Sequence, residues 1–168
     1  MMGWLRLFAG NSRASAGVEM ALVLPMLIIL MFGGMEGGYY LWSEHKVLKA
    51  VRDGARYASR QTFDKFDCAG GAVSDSATET NIQNLTRTGR TDTSGSPKVP
   101  NWTANSTVVV TVACDSTNNT GLYSEMPDGA PIVRVSADVP YPSLFFNLGF
   151  AASGLSLRGS SQAAVMGL

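Results

Sequence analysis

Residues that commonly build a metal centre are nearly missing from this chain. It has one histidine, His45, and two cysteines, Cys68 and Cys114, among 168 residues. Structural and catalytic zinc sites draw three or four ligands from His, Cys and acids, so ligand supply argues against a metal, and no cofactor is expected. His45 lies in a polar stretch with no serine, cysteine or carboxylate set beside it as a catalytic partner, so no enzyme activity is expected either. Net charge is lacking too. Thirteen Lys and Arg face thirteen Asp and Glu, and without a basic excess nothing points to nucleic acid as a partner. Charge is also absent locally, because Met20–Met35 (MALVLPMLIILMFGGM) is a run of 16 uncharged residues.

That run is the most informative feature. At about 1.5 Å per residue it spans roughly 24 Å, somewhat less than a hydrocarbon core of about 30 Å. Extending it through Glu36 to Trp42 gives 23 residues, which suffices, and Tyr39, Tyr40 and Trp42 then form an aromatic belt at headgroup level. A removable signal peptide is the alternative. Such segments are usually shorter, and no small-x-small cleavage site followed by a polar stretch closes this one. A single membrane-spanning helix is the expectation, in contact with membrane lipid. Orientation is contested by the sequence itself. Arg6 and Arg13 precede the span, while Lys46, Lys49, Arg52, Arg56 and Arg60 follow it, so the positive-inside rule favours a cytoplasmic C-terminal part.

Three features of the span are unneeded for simple anchorage. Glu19 stands at its entrance, where a carboxylate is costly. Pro25 removes a backbone donor inside the helix. Gly33 with Gly37, and Gly34 with Gly38, make overlapping G-x-x-x-G pairs that allow close helix approach in lipid, or alternatively only loosen the helix. Past Trp42 the apolar positions Val47, Leu48, Val51, Ala55 and Ala58 recur at helical spacing, opposite a basic stripe of Lys49, Arg52, Arg56 and Arg60. That stripe is a solvated face, or it meets anionic headgroups or an acidic neighbour. Gly54 weakens this helix by about 1 kcal/mol relative to alanine without ending it. One helix over about 15–61 is expected, apolar first and amphipathic later.

The remainder reads as a small β-rich unit. Thr107–Ala113 and Pro131–Val139 are strands by β-branched content and alternation, and Leu155–Met166 is a weaker third. A short helix is expected near Glu79–Leu85, and Tyr141–Ala151 carries an aromatic cluster of Phe145, Phe146 and Phe150. The fold class is therefore α+β, a long N-terminal membrane-spanning helix continuing into an amphipathic helix packed on a small antiparallel sheet. The expected divisions are 1–14, 15–61 and 62–168. Cys68 and Cys114 both fall outside the membrane part, which suggests a disulfide and an oxidising compartment, with two free buried thiols as the other possibility. A bridge would place the C-terminal unit outside the cytoplasm, against the charge count, and that reading is preferred.

The stretch RASAGVEMALVLPMLIILMFGGMEGGYYLWSEHKVLKAVRDGARYASR, residues 13–60, resembles the TadE-like proteins, minor pilins or pseudopilins of the bacterial tight-adherence (Flp) pilus system. The shared features are a small-residue run into V-E, the A-L-V-L-P after it, the G-x-x-E-x-G around Glu36, and the exit A-x-R-x-G-A-R-Y-A. The resemblance implies a pilin-like fold and a cytoplasmic leader removed by a prepilin peptidase. It leaves Glu19 at the fifth mature position, so the cut falls between Ala14 and Ser15. Alanine stands where the family usually has glycine, and Met20 where an aromatic residue is usual. Pairing with the new α-amino group of Ser15, its own or a neighbour's, would give Glu19 its use.

Two readings follow. One is a non-enzymatic minor pilin of the bacterial inner membrane, single-pass with its C-terminal domain in the periplasm, acting in biogenesis of a tight-adherence type IV pilus. Its partners would be other pilins and the pilus assembly machinery, with Glu19, Pro25, Gly33, Glu36 and Gly37 at the subunit contacts. The other is a permanently anchored envelope protein whose β-domain binds a ligand or surface.

Overall fold

The computed structural model describes residues 12–117, 119–145 and 154–167, with side chains from residue 16 onward. The leader up to residue 11, and Phe146 and Phe150 of the expected aromatic cluster, lie outside the described residues. The organising element is α1 (Ser12–Ala58), 47 residues with Pro25 inside it, about 70 Å long at 1.5 Å per residue. Side chains close its last turn: Ser59 Oγ donates to the Arg56 carbonyl at 2.9 Å and Gln61 Nε2 to that of Tyr57 at 3.2 Å. The Tyr57 carbonyl also accepts from the Arg60 amide at 3.2 Å, so a tightened last turn and these side chains satisfy the helix end without a glycine cap.

The chain divides into two compact units between Tyr39 and Tyr40. In the second, three antiparallel strands lie in the order β3 (Val108–Asp115), β4 (Ala130–Pro140), β5 (Ser156–Ala164). Register pairs Val110 with Val135 and Val135 with Ser161. Alternation buries Val108, Val110, Val112, Val133, Val135, Ala137, Val139 and Leu157 on one face. Arg134, Asp138, Arg158 and Gln162 occupy the open face, where Arg158 Nε meets Asp138 across the strands at 2.9 Å.

Helical segments cover the buried face. From α1 come Ser43, Val47, Ala50, Val51, Ala55 and Ala58, all buried, a stripe at helical spacing. Ala50 was not among the expected apolar positions, and Leu48 stands half-buried at its margin. The second helix, α2 (Ser76–Thr88), adds Ile82 and Thr86. It is longer than the expected Glu79–Leu85 because its ends are capped. Asp75 accepts from the Ala77 amide, and Gly89 adopts a left-handed φ of 85° with its N–H on the Leu85 carbonyl. Lys65, at 2.9 Å, and then Thr78 donate to Asp75, holding its carboxyl down at about 2. The threonines that weaken α2 on propensity bond back to its own carbonyls instead, Thr86 to Ile82 and Thr88 to Asn84.

Two further strands, β1 (Phe66–Asp67) and β2 (Ala72–Val73), form a small antiparallel hairpin. Cys68, next to this hairpin, is bonded to Cys114 in β3, the Cα atoms 5.5 Å apart and the residues separated by 46 positions. In the chain-entropy account such a loop closure stabilises the fold by roughly 4 kcal/mol. Trp102 is fully buried in the polar segment before β3, its indole N–H donating to Thr107 Oγ1 at 2.7 Å.

α1 and α2 come close together at Gly54. A Cβ there would run into Thr86 Oγ1, with Thr86 Cβ at 3.4 Å and Val135 Cγ1 at 3.5 Å. Thr86 is buried and committed to the Ile82 carbonyl, so it has nowhere inexpensive to turn. Overpacking costs about 1–3 kcal/mol against a helix-propensity gain of about 1 kcal/mol for alanine. Gly54→Ala should therefore lower the melting temperature of the detergent-solubilised protein. An unchanged or higher melting temperature would show that propensity governs this position.

Candidate functional site

Before Tyr40, α1 shows its apolar side chains to the outside. Twelve large ones from Val18 to Met35 are exposed, Leu22 by 74%. At about 1.5–3 kcal/mol each, their exposure to water would cost roughly 20–35 kcal/mol, more than the 5–15 kcal/mol that holds a typical domain folded. This segment must be covered by lipid or by other protein. Its mean hydropathy of 2.2, with none of the window buried, makes α1 long and apolar enough to cross a membrane.

The expected assembly residues lie on this segment. Gly33, Gly34, Gly37 and Gly38 have open space where a Cβ would stand, so nothing within the fold requires them to be glycine. Glu19 is exposed. Gly37 lies eighteen residues beyond it, about five full turns, so the two share one helix face. Pro25 is exposed, and Glu36 is half-buried next to Gly37 in sequence. Ala14 and Ser15 fall within α1, but their side chains lie outside the described residues.

The expected belt residues differ from one another. Tyr39 is half-buried. Tyr40 stacks edge-on against Tyr141, ring centres 5.1 Å apart, and its hydroxyl donates to the Ser156 carbonyl at 3.4 Å, so it helps hold the sheet unit to its own helix. Trp42 is half-exposed, with Lys46 Nζ 3.7 Å from the ring centre. Lys46 also donates to the Lys98 carbonyl at 3.2 Å, and Asp53 pairs with Lys98 at 3.2 Å. Lys49, Arg52, Arg56 and Arg60 are exposed, their side chains without an ion pair among the described residues. Lys98 and Tyr141 had no signal in the sequence; partners of helix flanks contributed by distant loops leave no periodic trace.

An exposed apolar helix leading into a disulfide-linked α+β unit defines the class as a membrane-anchored α+β protein. Residues 14–56 match the family model described as TadE-like protein. The similarity covers most of α1 and stops short of the sheet unit's strands. No curated protein and no solved structure matches the chain.

The open glycines allow a direct test of what they do. A Cβ at Gly37 meets open space among the described residues, and leucine is the better helix former by several tenths of a kcal/mol. If the glycines only loosen the helix, Gly37→Leu should be tolerated. If they let a neighbouring backbone approach, the side chain should hold it away. The expected result is unchanged membrane insertion with reduced crosslinking to neighbouring subunits; undiminished crosslinking would leave the glycines as helix loosening.

Proposed function

We propose that this chain is a non-enzymatic pilin-like subunit acting in biogenesis of a tight-adherence pilus. The observation that carries this reading is the uncovered helix face. An apolar surface this large, bearing both a carboxylate and four open glycines, suits a helix that is held in lipid and then packs against other subunits' helices. A permanent anchor has no use for Glu19 on the face that also carries Gly37.

In this reading a prepilin peptidase removes the leader between Ala14 and Ser15, and the α-amino group of Ser15 neutralises Glu19 of its own or a neighbouring subunit. Ion pairing at that depth fixes the axial stagger, because a misplaced register leaves a charge unpaired in a medium of low dielectric. The partners are other pilins and the assembly machinery, with membrane lipid before assembly. The C-terminal unit is displayed in the periplasm, which the Cys68–Cys114 disulfide supports, since such bonds persist in oxidising compartments.

The reading is tested on Glu19→Ala. Membrane insertion and leader removal should be retained while co-purification with other pilins and piliation fall. Normal piliation with normal co-purification would remove Glu19 from assembly and with it the main support for this function.

A further inference from the structure

The two edges of the sheet are finished differently. The Tyr141 amide bonds to the Leu155 carbonyl, and the Val165 amide to that of Pro131. With the β4–β5 register, this phase directs the backbone groups of odd-numbered β5 residues toward β4. Those of Arg158, Ser160, Gln162 and Ala164 therefore point away from the sheet. The same phase directs the even-numbered residues of β3 outward, and there two of the backbone groups are taken from outside the sheet. The Val112 amide donates to the Gly71 carbonyl at 2.9 Å, and Gln83 Nε2 donates to the Val108 carbonyl at 3.3 Å. Among the described residues, the Ser156 carbonyl is the one outward group of β5 that is taken, by Tyr40. The N–H and C=O groups of Arg158, Ser160, Gln162 and Ala164 have no hydrogen-bond partner among the described residues.

An open edge is usually blunted by proline, lysine, a bulge or a covering loop. β5 (SLRGSSQAA) has no proline or lysine, and its pairing with β4 runs unbroken from Ala164 to Ser156. One side of this edge is walled by α1. Leu48 Cδ2 lies 3.3 Å from where a Cβ on Gly159 would stand, and Val47 Cγ1 lies 3.4 Å away. Around the helix from Leu48 come Arg52, His45, Lys49 and Arg56, which line one groove with it and with Asp53, the partner of Lys98.

We infer that the outer edge of β5 is a strand-docking site for an extended, acidic segment of a partner polypeptide. Main-chain hydrogen bonds to Arg158, Ser160, Gln162 and Ala164 supply the pairing. The side chains that this added strand turns toward α1 pass Leu48 and meet Arg52 one turn further along, an exposed cation without an ion pair among the described residues, whereas Lys49 and Arg56 lie on the helix face opposite the buried stripe. A second copy of this chain is a poor occupant. Its own β5 carries arginine and no acid, and pairing edge to edge would bring two basic helix faces together. This surface lies within the Tyr40–Leu168 unit and does not depend on the role proposed for Glu19 or the glycines.

The full chain in detergent can be titrated, by fluorescence anisotropy, with labelled peptides matched to the 9 residues of β5. One alternates Glu with Val, a second replaces Glu by Lys, and a third is the Glu/Val peptide with its amides N-methylated. The Glu/Val peptide should bind, the Lys version about tenfold or more weakly, and the N-methylated version not at all. Ser160→Pro should remove binding while keeping the fold, since the amide it deletes points away from β4 and proline is tolerated at such edge positions. Gln162→Pro provides a second case, and Arg52→Glu should weaken only the acidic peptide. Failure of the Glu/Val peptide to bind, or equal binding of its N-methylated form, would overturn the proposal. So would a dimer of the chain that Ser160→Pro dissolves, because the edge would then be taken by a second copy.

Discussion

A helix whose first half exposes most of its large apolar side chains sets the constraint that the rest of the molecule answers. Between Val18 and Met35 twelve large apolar side chains are exposed, whereas from Val47 to Ala58 a stripe of side chains is buried. The two halves of α1 obey different rules. The first is apolar all round and suits a surrounding of lipid or other helices. The second has a narrow stripe of valines, alanines and Gly54, small enough for α2 and β4 to come close. The division between Tyr39 and Tyr40 marks the change from one to the other, and Tyr40 is tied to the sheet unit by Tyr141 and Ser156.

The parts legible in the sequence were those with a strong periodic or compositional signal. The uncharged run and the valine-rich stretch Thr107–Ala113 gave the long helix and β3, and alternation gave β4. The cysteine pair also fell where a bond could form. Other parts were hidden for physical reasons. The β1–β2 hairpin has two residues per strand, too few for any alternation to show. α2 was read short because threonine is a poor helix former, and the back-bonding hydroxyls that offset this are visible only in three dimensions. Trp102 sits in a stretch of polar residues, yet it is fully buried because Thr107 satisfies its indole N–H.

Gly54 illustrates the same limit at a single position. From sequence alone it is a residue that weakens a helix by about 1 kcal/mol. In the fold it is a point where two helices come close together. The four glycines of the span are the opposite case, since among the described residues an added Cβ at any of them would meet open space. Gly54 serves packing within the chain, whereas Gly33, Gly34, Gly37 and Gly38 are free to serve packing between chains. The open edge of β5 was equally beyond reach, because strand order and hydrogen-bond phase, not composition, decide which backbone groups remain outside.

The central claim is that α1 is a pilin helix whose entrance carboxylate meets a newly made amino terminus. Its most direct test is the intact mass of the protein recovered from the envelope. The account predicts a chain beginning at Ser15, free or methylated on its α-amino group, with Glu19 in the fifth position. A chain that still carries its leader in membranes where piliation is active would contradict it, and would make α1 a permanent anchor.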